Sequence, residues 1–299
     1  MKILVTGSEG NIGSKLVPFL KKMNHTVYCV DIKQKYDDDY ILSDITNPID
    51  LLEIFNTFKP DVVFHLAAMV SRITCEKSPS LCVHTNITGT NNIIQLCKTF
   101  KSKLIYFSTS EIYGNIGGLL SENRSDIKPN NLYGLTKYLG EKLVEYEVEN
   151  NQLDCIVVRP FMFYDEEETM GVHRSAMIRF AESLLKNKKI IVHKGSKRSW
   201  MHISDAVIIL EKLIHVNDFH ILNIGNEDVI NMEVLAEKMC NYLGLEYNEY
   251  VEESELPSKM TLTKYPDTNK QYELTKHKCN ISIDDGIDKL FTIMKNRVK

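Results

Sequence analysis

Tyr133 and Lys137 stand four residues apart in a stretch that reads as a helix, so their side chains share one face. A tyrosine phenol ordinarily titrates near pH 10, too high for a proton acceptor at neutral pH. Lowering it by about three units takes roughly 4 kcal/mol of preferential phenolate stabilisation. A lysine ammonium at close range, helped by the positive ring of a nicotinamide, can supply that. The pair therefore reads as a general base for an alcohol that loses a hydride. Upstream runs Phe107-Ser108-Thr109-Ser110-Glu111-Ile112-Tyr113-Gly114. The Thr109 hydroxyl is placed to hydrogen-bond the reacting oxygen and share its proton with Tyr133, with Ser110 beside it. Glu111 offers a carboxylate able to take a proton acidified by a neighbouring ketone, or simply to cap a loop N–H.

Hydride chemistry needs an acceptor. Gly7, Gly10 and Gly13 follow a strand-like run and open a helix-like one. Small residues there allow a tight turn, and a helix N-terminus offers N–H donors and positive dipole to a pyrophosphate. Asp31 ends the next apolar run, 18 residues after Gly13. A carboxylate at that point accepts hydrogen bonds from the adenosine ribose and repels a 2′-phosphate, which favours NAD over NADP. Lys33 is the opposing cation. Asp44, next to Ile45, either reaches the adenine edge or only makes a turn.

The elements that must position these groups alternate. Lys2–Thr6, Thr26–Asp31, Asp61–Leu66, Lys103–Ser108 and Cys155–Arg159 read as strands, several of them apolar throughout. Helical patterns follow Asn11, Pro48, Asn86 and Tyr133. Such alternation predicts an α/β fold with a doubly wound, Rossmann-type parallel sheet over residues 1–159. Pro18 falls inside the first helix pattern and predicts a kink or an early end. After Pro160 the rhythm is lost. Helical patterns cover Ser175–Lys186, Ser204–His215 and Val229–Leu243, and Glu252–Thr268 reads as polar and irregular. Residues 160–299 are expected to form a smaller mixed α/β substrate domain, with a segment near 200–226 returning to the first sheet.

Composition sets outer bounds. The 299 residues are 43% apolar and 25% charged, with a net charge of −4, which gives no reason to expect nucleic acid. The first residues do not read as a signal peptide, and no run approaches the ~18 apolar residues of a membrane span. Seven scattered cysteines lack any C-x-x-C pairing, so reduced thiols in a cytoplasm are expected, with no metal and no disulfide framework.

The motifs together resemble the extended short-chain dehydrogenase/reductases of the NAD-dependent epimerase/dehydratase family, which act on nucleotide sugars. The resemblance rests on T-G-x-x-G-x-I-G (Thr6 to Gly13), F-H-L-A-A (Phe64 to Ala68), N-x-x-G-T (Asn86 to Thr90), S-T-S-E-I-Y-G (Ser108 to Gly114), Y-G-L-T-K (Tyr133 to Lys137) and R-P-F (Arg159 to Phe161). Arg198 to Asp205 is similar to a further family pattern, R-D-x-x-x-V-x-D. The resemblance implies that Tyr133 takes the proton of a sugar 4-hydroxyl while NAD accepts the hydride, and that Thr109 orients that hydroxyl. It implies a cofactor surface that includes Asn11, Ile12, Ile45, Leu66, Ala67, Ala68, Asn86 and Phe161, with Lys137 on the nicotinamide ribose. It places Ser71, Thr109, Met162 and Arg198 against the substrate, Arg198 on the diphosphate. It also implies a homodimer through helices over 86–100 and 133–150.

The second chemical step stays open at this point. Re-reduction of a 4-keto sugar on its other face gives an epimerase. Enolisation by Glu111, which matches the glutamate of the family's 4,6-dehydratases and decarboxylases, leads to loss of water or of a carboxylate. A simple 4-dehydrogenase and a non-catalytic NAD-binding sensor are the remaining alternatives. The family usually has Asn where this chain has Met162, and its Y-G-P is Tyr164-Asp165-Glu166 here, so an unusual sugar is in play.

Overall fold

Segments without a polar face must be covered on both sides, and the apolar runs of this chain become the centre of a three-layer sandwich. The computed structural model describes residues 1–169, 175–257 and 260–297. Its main sheet has seven parallel strands, in the order Tyr40–Leu42, Thr26–Asp31, Lys2–Thr6, Val62–His65, Lys103–Phe107, Cys155–Pro160 and His220–Ile224. The winding direction reverses between Lys2–Thr6 and Val62–His65, the point where such sheets open a crevice at their carboxyl ends. In register, Thr6 lies beside Val30 and His65. Gly7, Asp31 and Leu66 therefore leave the sheet at one edge.

Each sheet face is covered by helices whose apolar stripe fits it. Leu16 and Leu20 of helix Gly13–Lys22 and Ile209 and Leu210 of helix Ile203–Leu213 pack on Ile3, Val5 and Phe64. On the other face, Phe55 of Pro48–Phe58, Ile93 and Ile94 of Thr90–Phe100 and Val144 of Leu132–Asn151 pack on Leu4, Val63 and Leu104. Pro18 does not end the first helix, which continues to Lys22. Pro18 and Ser14 both face solvent, so water can reach the Ser14 carbonyl that lacks its i+4 donor. Arg159 is almost completely buried at the end of its strand. Its guanidinium meets both oxygens of buried Glu141 (3.0 and 2.7 Å) and donates to Tyr113 Oη, which donates in turn to Asn223 Oδ1.

The later half builds a second core around helices Ala176–Leu185, Met232–Leu243 and Ile283–Met294. Beside it lies a four-stranded mixed sheet in the order Val229–Asn231, Lys197–Ser199, Thr263–Pro266 and Gly118–Leu120. Two expectations are corrected here. Val229–Asn231 forms a strand, because β-branched Val229 and Ile230 pair with Lys197–Ser199, and the helix starts only at Met232. The stretch 252–268, expected to be irregular, holds the end of strand Val251–Ser254 and the strand Thr263–Pro266; residues 258 and 259 lie outside the described residues. Among the described residues no helix is long and apolar enough to cross a membrane.

Candidate active site

The glycine turn is tight for steric reasons that the backbone makes explicit. Gly7 has φ +73°, and a Cβ there would lie 2.6 Å from the Ala67 nitrogen. A Cβ on Gly13 would lie 2.5 Å from the Gly7 carbonyl oxygen, and one on Gly10 3.2 Å from the same atom. The turn thus folds onto itself and against Leu66 and Ala67. The helix it opens starts at Gly13, with Ile12 at the cap position making no side-chain cap and no acid in the first turn, and Asn11 is exposed beside it. That helix end presents donors and positive dipole to an anion. Ser8 Oγ is buried there with no partner among the described residues. Asp31 is buried, and its carboxylate accepts Glu9 N (2.9 Å) and Lys33 N (3.0 Å). The Lys33 ammonium is folded onto the Glu9 carbonyl at 2.6 Å. Asp44 Oδ1 accepts both Thr46 N (2.8 Å) and Thr46 Oγ1 (2.9 Å), the turn role weighed for it, and Ile45 is buried in the core. A cradle that a Cβ would fill, an uncapped helix end and a buried carboxylate together fit a dinucleotide.

The floor beside this turn is braced by hydrogen bonds. His65 Nδ1 meets Thr6 Oγ1 at 2.8 Å and its Nε2 meets Thr90 Oγ1 at 3.0 Å. Burial, with Lys137 nearby, pushes the imidazole down to about 3. Asn86 lies in a π-helical turn, His84–Gly89, a distortion that aims one side chain inward. Its Oδ1 accepts Met69 N (2.8 Å), and its Nδ2 donates to Met69 O (3.1 Å) and Thr136 Oγ1 (3.0 Å). Asn86 thus ties the loop that carries half-buried Leu66, Ala67 and Ala68 to the helix that carries Tyr133. Phe161 is fully enclosed with Ile112, Tyr113 and Leu120, so its ring supports the site from behind and has no exposed surface for a cofactor.

The reactive groups converge at the carboxyl end of Lys103–Phe107. Thr109 is buried and accepts Glu111 N at 3.2 Å; Ser110 is buried beside it. Tyr133 and Lys137 rise from the first turns of Leu132–Asn151, capped by Asn131 Oδ1 accepting Gly134 N at 2.9 Å. Lys137 Nζ sits 4.4 Å over the Tyr106 ring, whose hydroxyl donates to the Lys137 carbonyl at 3.0 Å. Gly140 leaves room for that hydroxyl.

The surroundings of the pair, taken without a ligand, oppose phenolate. The Tyr133 phenol is not acidic in the protein by itself: burial pushes it well above its ordinary value, the Thr109 hydroxyl offsets part, and Glu111 adds to the rise. Burial pushes Lys137 down to about 7, against the pull of Glu141. Both groups are desolvated, and desolvation opposes both charged forms. A positive charge arriving with a ligand is what would turn this balance toward phenolate.

Glu111 borders a cavity of about 280 Å³ whose walls also include Arg72, Met162, Arg198, Trp200 and Lys264. Glu111 accepts Lys264 Nζ (2.9 Å) and Asn131 Nδ2 (3.1 Å) and lies 3.5 Å from Arg72 Nε. Burial pushes its carboxyl up, but Lys264, Arg72 and Asn131 outweigh burial and hold it below the usual carboxylate range. Met162 lines the cavity with φ +24°, a region where Asn is more at home than Met. The Arg198 guanidinium is engaged with the carbonyls of Lys197 (2.7 Å), Leu262 (2.9 Å) and Thr261 (2.7 Å). Ser71 Oγ caps the helix Arg72–Lys77 by accepting Thr74 N. Sequence reasoning passed over Arg72, Lys264 and Trp200. The Trp200 Nε1 donor is buried with no partner among the described residues, and only its place on the cavity wall shows its use. The alternation in Thr263-Lys264-Tyr265 was the one signal available for Lys264.

Residues 3–225 match the family described as the NAD dependent epimerase/dehydratase family. A UDP-N-acetyl-alpha-D-glucosaminuronate decarboxylase of Bacillus cytotoxicus is 32% identical over 256 residues, covering 79% of this chain and 78% of its own length. A UDP-glucuronate 4-epimerase of Thermodesulfobacterium geofontis is 28% identical over 319 residues, covering 99% and 97%. The crystal structure of the UDP-glucose 4-epimerase of Thermotoga maritima with UDP-glucose superposes with a TM-score of 0.91 over 100% of both chains at 22% identity, a likeness of fold.

Proposed function

The chain belongs to the NAD dependent epimerase/dehydratase family, and we propose that it is a nucleotide-sugar epimerase/dehydratase that begins by oxidising the sugar 4-hydroxyl. One observation carries this reading: at the carboxyl end of Lys103–Phe107, the same sheet edge as the glycine turn, the helix start that carries Tyr133 packs against Glu111, and Glu111 lines a cation-rich cavity. NAD, when bound, supplies the hydride acceptor and a positive ring. The turn from Gly7 to Gly13 holds its pyrophosphate, Asp31 the adenosine ribose and Lys137 the nicotinamide ribose. Thr109 orients the 4-hydroxyl, and Tyr133 accepts its proton. Arg198, held in place by the carbonyls of Lys197, Leu262 and Thr261, contributes its positive charge to the diphosphate end of the cavity. Glu111, held ionised, stands where a C5 proton would be taken.

A non-catalytic sensor would have no use for Thr109, Tyr133 and Lys137 together. The deciding experiment is incubation with UDP-, GDP- and dTDP-sugars in deuterated water, read by NMR. Inversion at C4 or a 4-keto product is expected with one of them; deuterium at C5 marks enolisation. No change in any sugar overturns the reading.

A homodimer fits the surface. Leu135, Leu139 and Tyr146 are exposed along one face of Leu132–Asn151, with exposed Leu81 and Val83 on a preceding segment. Light scattering should give twice the chain mass; a monomer mass at micromolar concentration contradicts this.

A further inference from the structure

The charges around the cavity are out of balance in a way that points to the sugar. Its described walls carry four cations, Arg72, Arg179, Arg198 and Lys264, against one carboxylate, Glu111. A diphosphate brings about two negative charges, which leaves a cation unmatched. A cleft lined mainly by one sign of charge draws the opposite charge into it, so the surplus has to be located. It lies at the reacting end. Glu111 is joined through its backbone N–H to Thr109 Oγ1 at 3.2 Å, and the helix start that carries Tyr133 packs against Glu111 through Gly134 and Asn131. Two cations crowd this single carboxylate: Lys264, 4% exposed, at 2.9 Å, and Arg72, whose Nε lies 3.5 Å away. Among the described residues the terminal nitrogens of Arg72 meet no acceptor, and its side chain is 44% exposed where it borders the cavity. A guanidinium edge left open in this way suits a planar, bidentate oxyanion.

We propose that Arg72 and Lys264 form an anion subsite at the sugar end of the cavity, and that the substrate is a nucleoside diphosphate hexuronate whose sugar carboxylate seats there. This rests on the proposed oxidation at C4 and narrows it, since a hexuronate has no C6 hydroxyl to lose. Lys264 then has two tasks: it keeps Glu111 ionised and offers its remaining N–H donors to the substrate.

The test compares matched hexose and hexuronate substrates on uracil, guanine and thymine nucleotides, with UDP, GDP and dTDP as sugar-free competitors. The wild-type protein should turn over one hexuronate with kcat/KM at least about tenfold above its hexose. Arg72→Gln and Lys264→Gln should each remove most of that preference, while inhibition by the sugar-free nucleotide shifts by less than about twofold. Equal use of hexose and hexuronate overturns the subsite and leaves the oxidation at C4 standing. So does a loss of nucleotide inhibition as large as the loss of hexuronate turnover, which would place the two cations on the diphosphate. Turnover of neither sugar on any base overturns the oxidation itself. If Lys264→Gln melts early, exposed Arg72→Gln decides alone.

Discussion

Burial opposes the charge that Tyr133 must carry, so its work as a base depends on what else enters the site. Tyr133→Phe should keep NAD affinity within about twofold and cut turnover by roughly 10²–10⁴, the usual worth of a positioned proton acceptor. Calorimetry with NAD and a coupled turnover assay check the two halves; a near-normal rate removes the base assignment. Gly7 is a second position where one atom decides. Its φ of +73° and the 2.6 Å approach of a Cβ to Ala67 N both exclude a side chain. Gly7→Ala should lower stability by at least ~1–2 kcal/mol from the backbone alone and weaken NAD binding as the turn opens. Urea unfolding with and without NAD measures both. This glycine was legible in the sequence because its neighbours Gly10 and Gly13 share its spacing. The enclosure of Phe161 was not, because nothing local shows that Tyr113 and Leu120 close over that ring.

At the scale of elements, Arg159 ties the strand Cys155–Pro160 to the helix that carries the reactive pair. Removing one member strands the other charge in a dry interior. Arg159→Met should therefore cost about 3–5 kcal/mol, while the double change Glu141→Leu with Arg159→Met should recover much of it. Equal losses in both, measured by denaturant unfolding, would show that the pair acts through packing alone. Strand and helix identities in the first half follow from apolar periodicity. The strand Thr263–Pro266 was not legible, because it is short and polar and becomes a strand only by pairing with Lys197–Ser199 and Gly118–Leu120.

For the molecule as a whole, pH should act through His65. Its imidazole is pushed down to about 3 by burial, whereas in the unfolded chain it titrates near 6.5. Between those values the unfolded chain holds the extra proton, so stability rises with pH there. The neutral His65 contribution is complete above about pH 6.5 and is lost as pH falls toward 3. Thermal melts of the wild type should drop more steeply between pH 6.5 and 4 than those of His65→Asn. Parallel curves would mean that other groups carry the acid limb.

From the amino-acid order alone came the doubly wound parallel sheet, the glycine seat with Asp31, and the placing of Thr109, Tyr133 and Lys137 on adjoining elements. All of these are written in short-range spacing, which the backbone periods of helix and strand convert directly into shared faces and edges. Only the tertiary structure decided the electrostatic state of the site. Lys264 meets Glu111 across 153 residues, Arg72 approaches from a third element, and Tyr133 and Lys137 owe their shifted titration to enclosure. Desolvation and long-range charge pairing depend on what the folded chain brings near, and no local pattern encodes that.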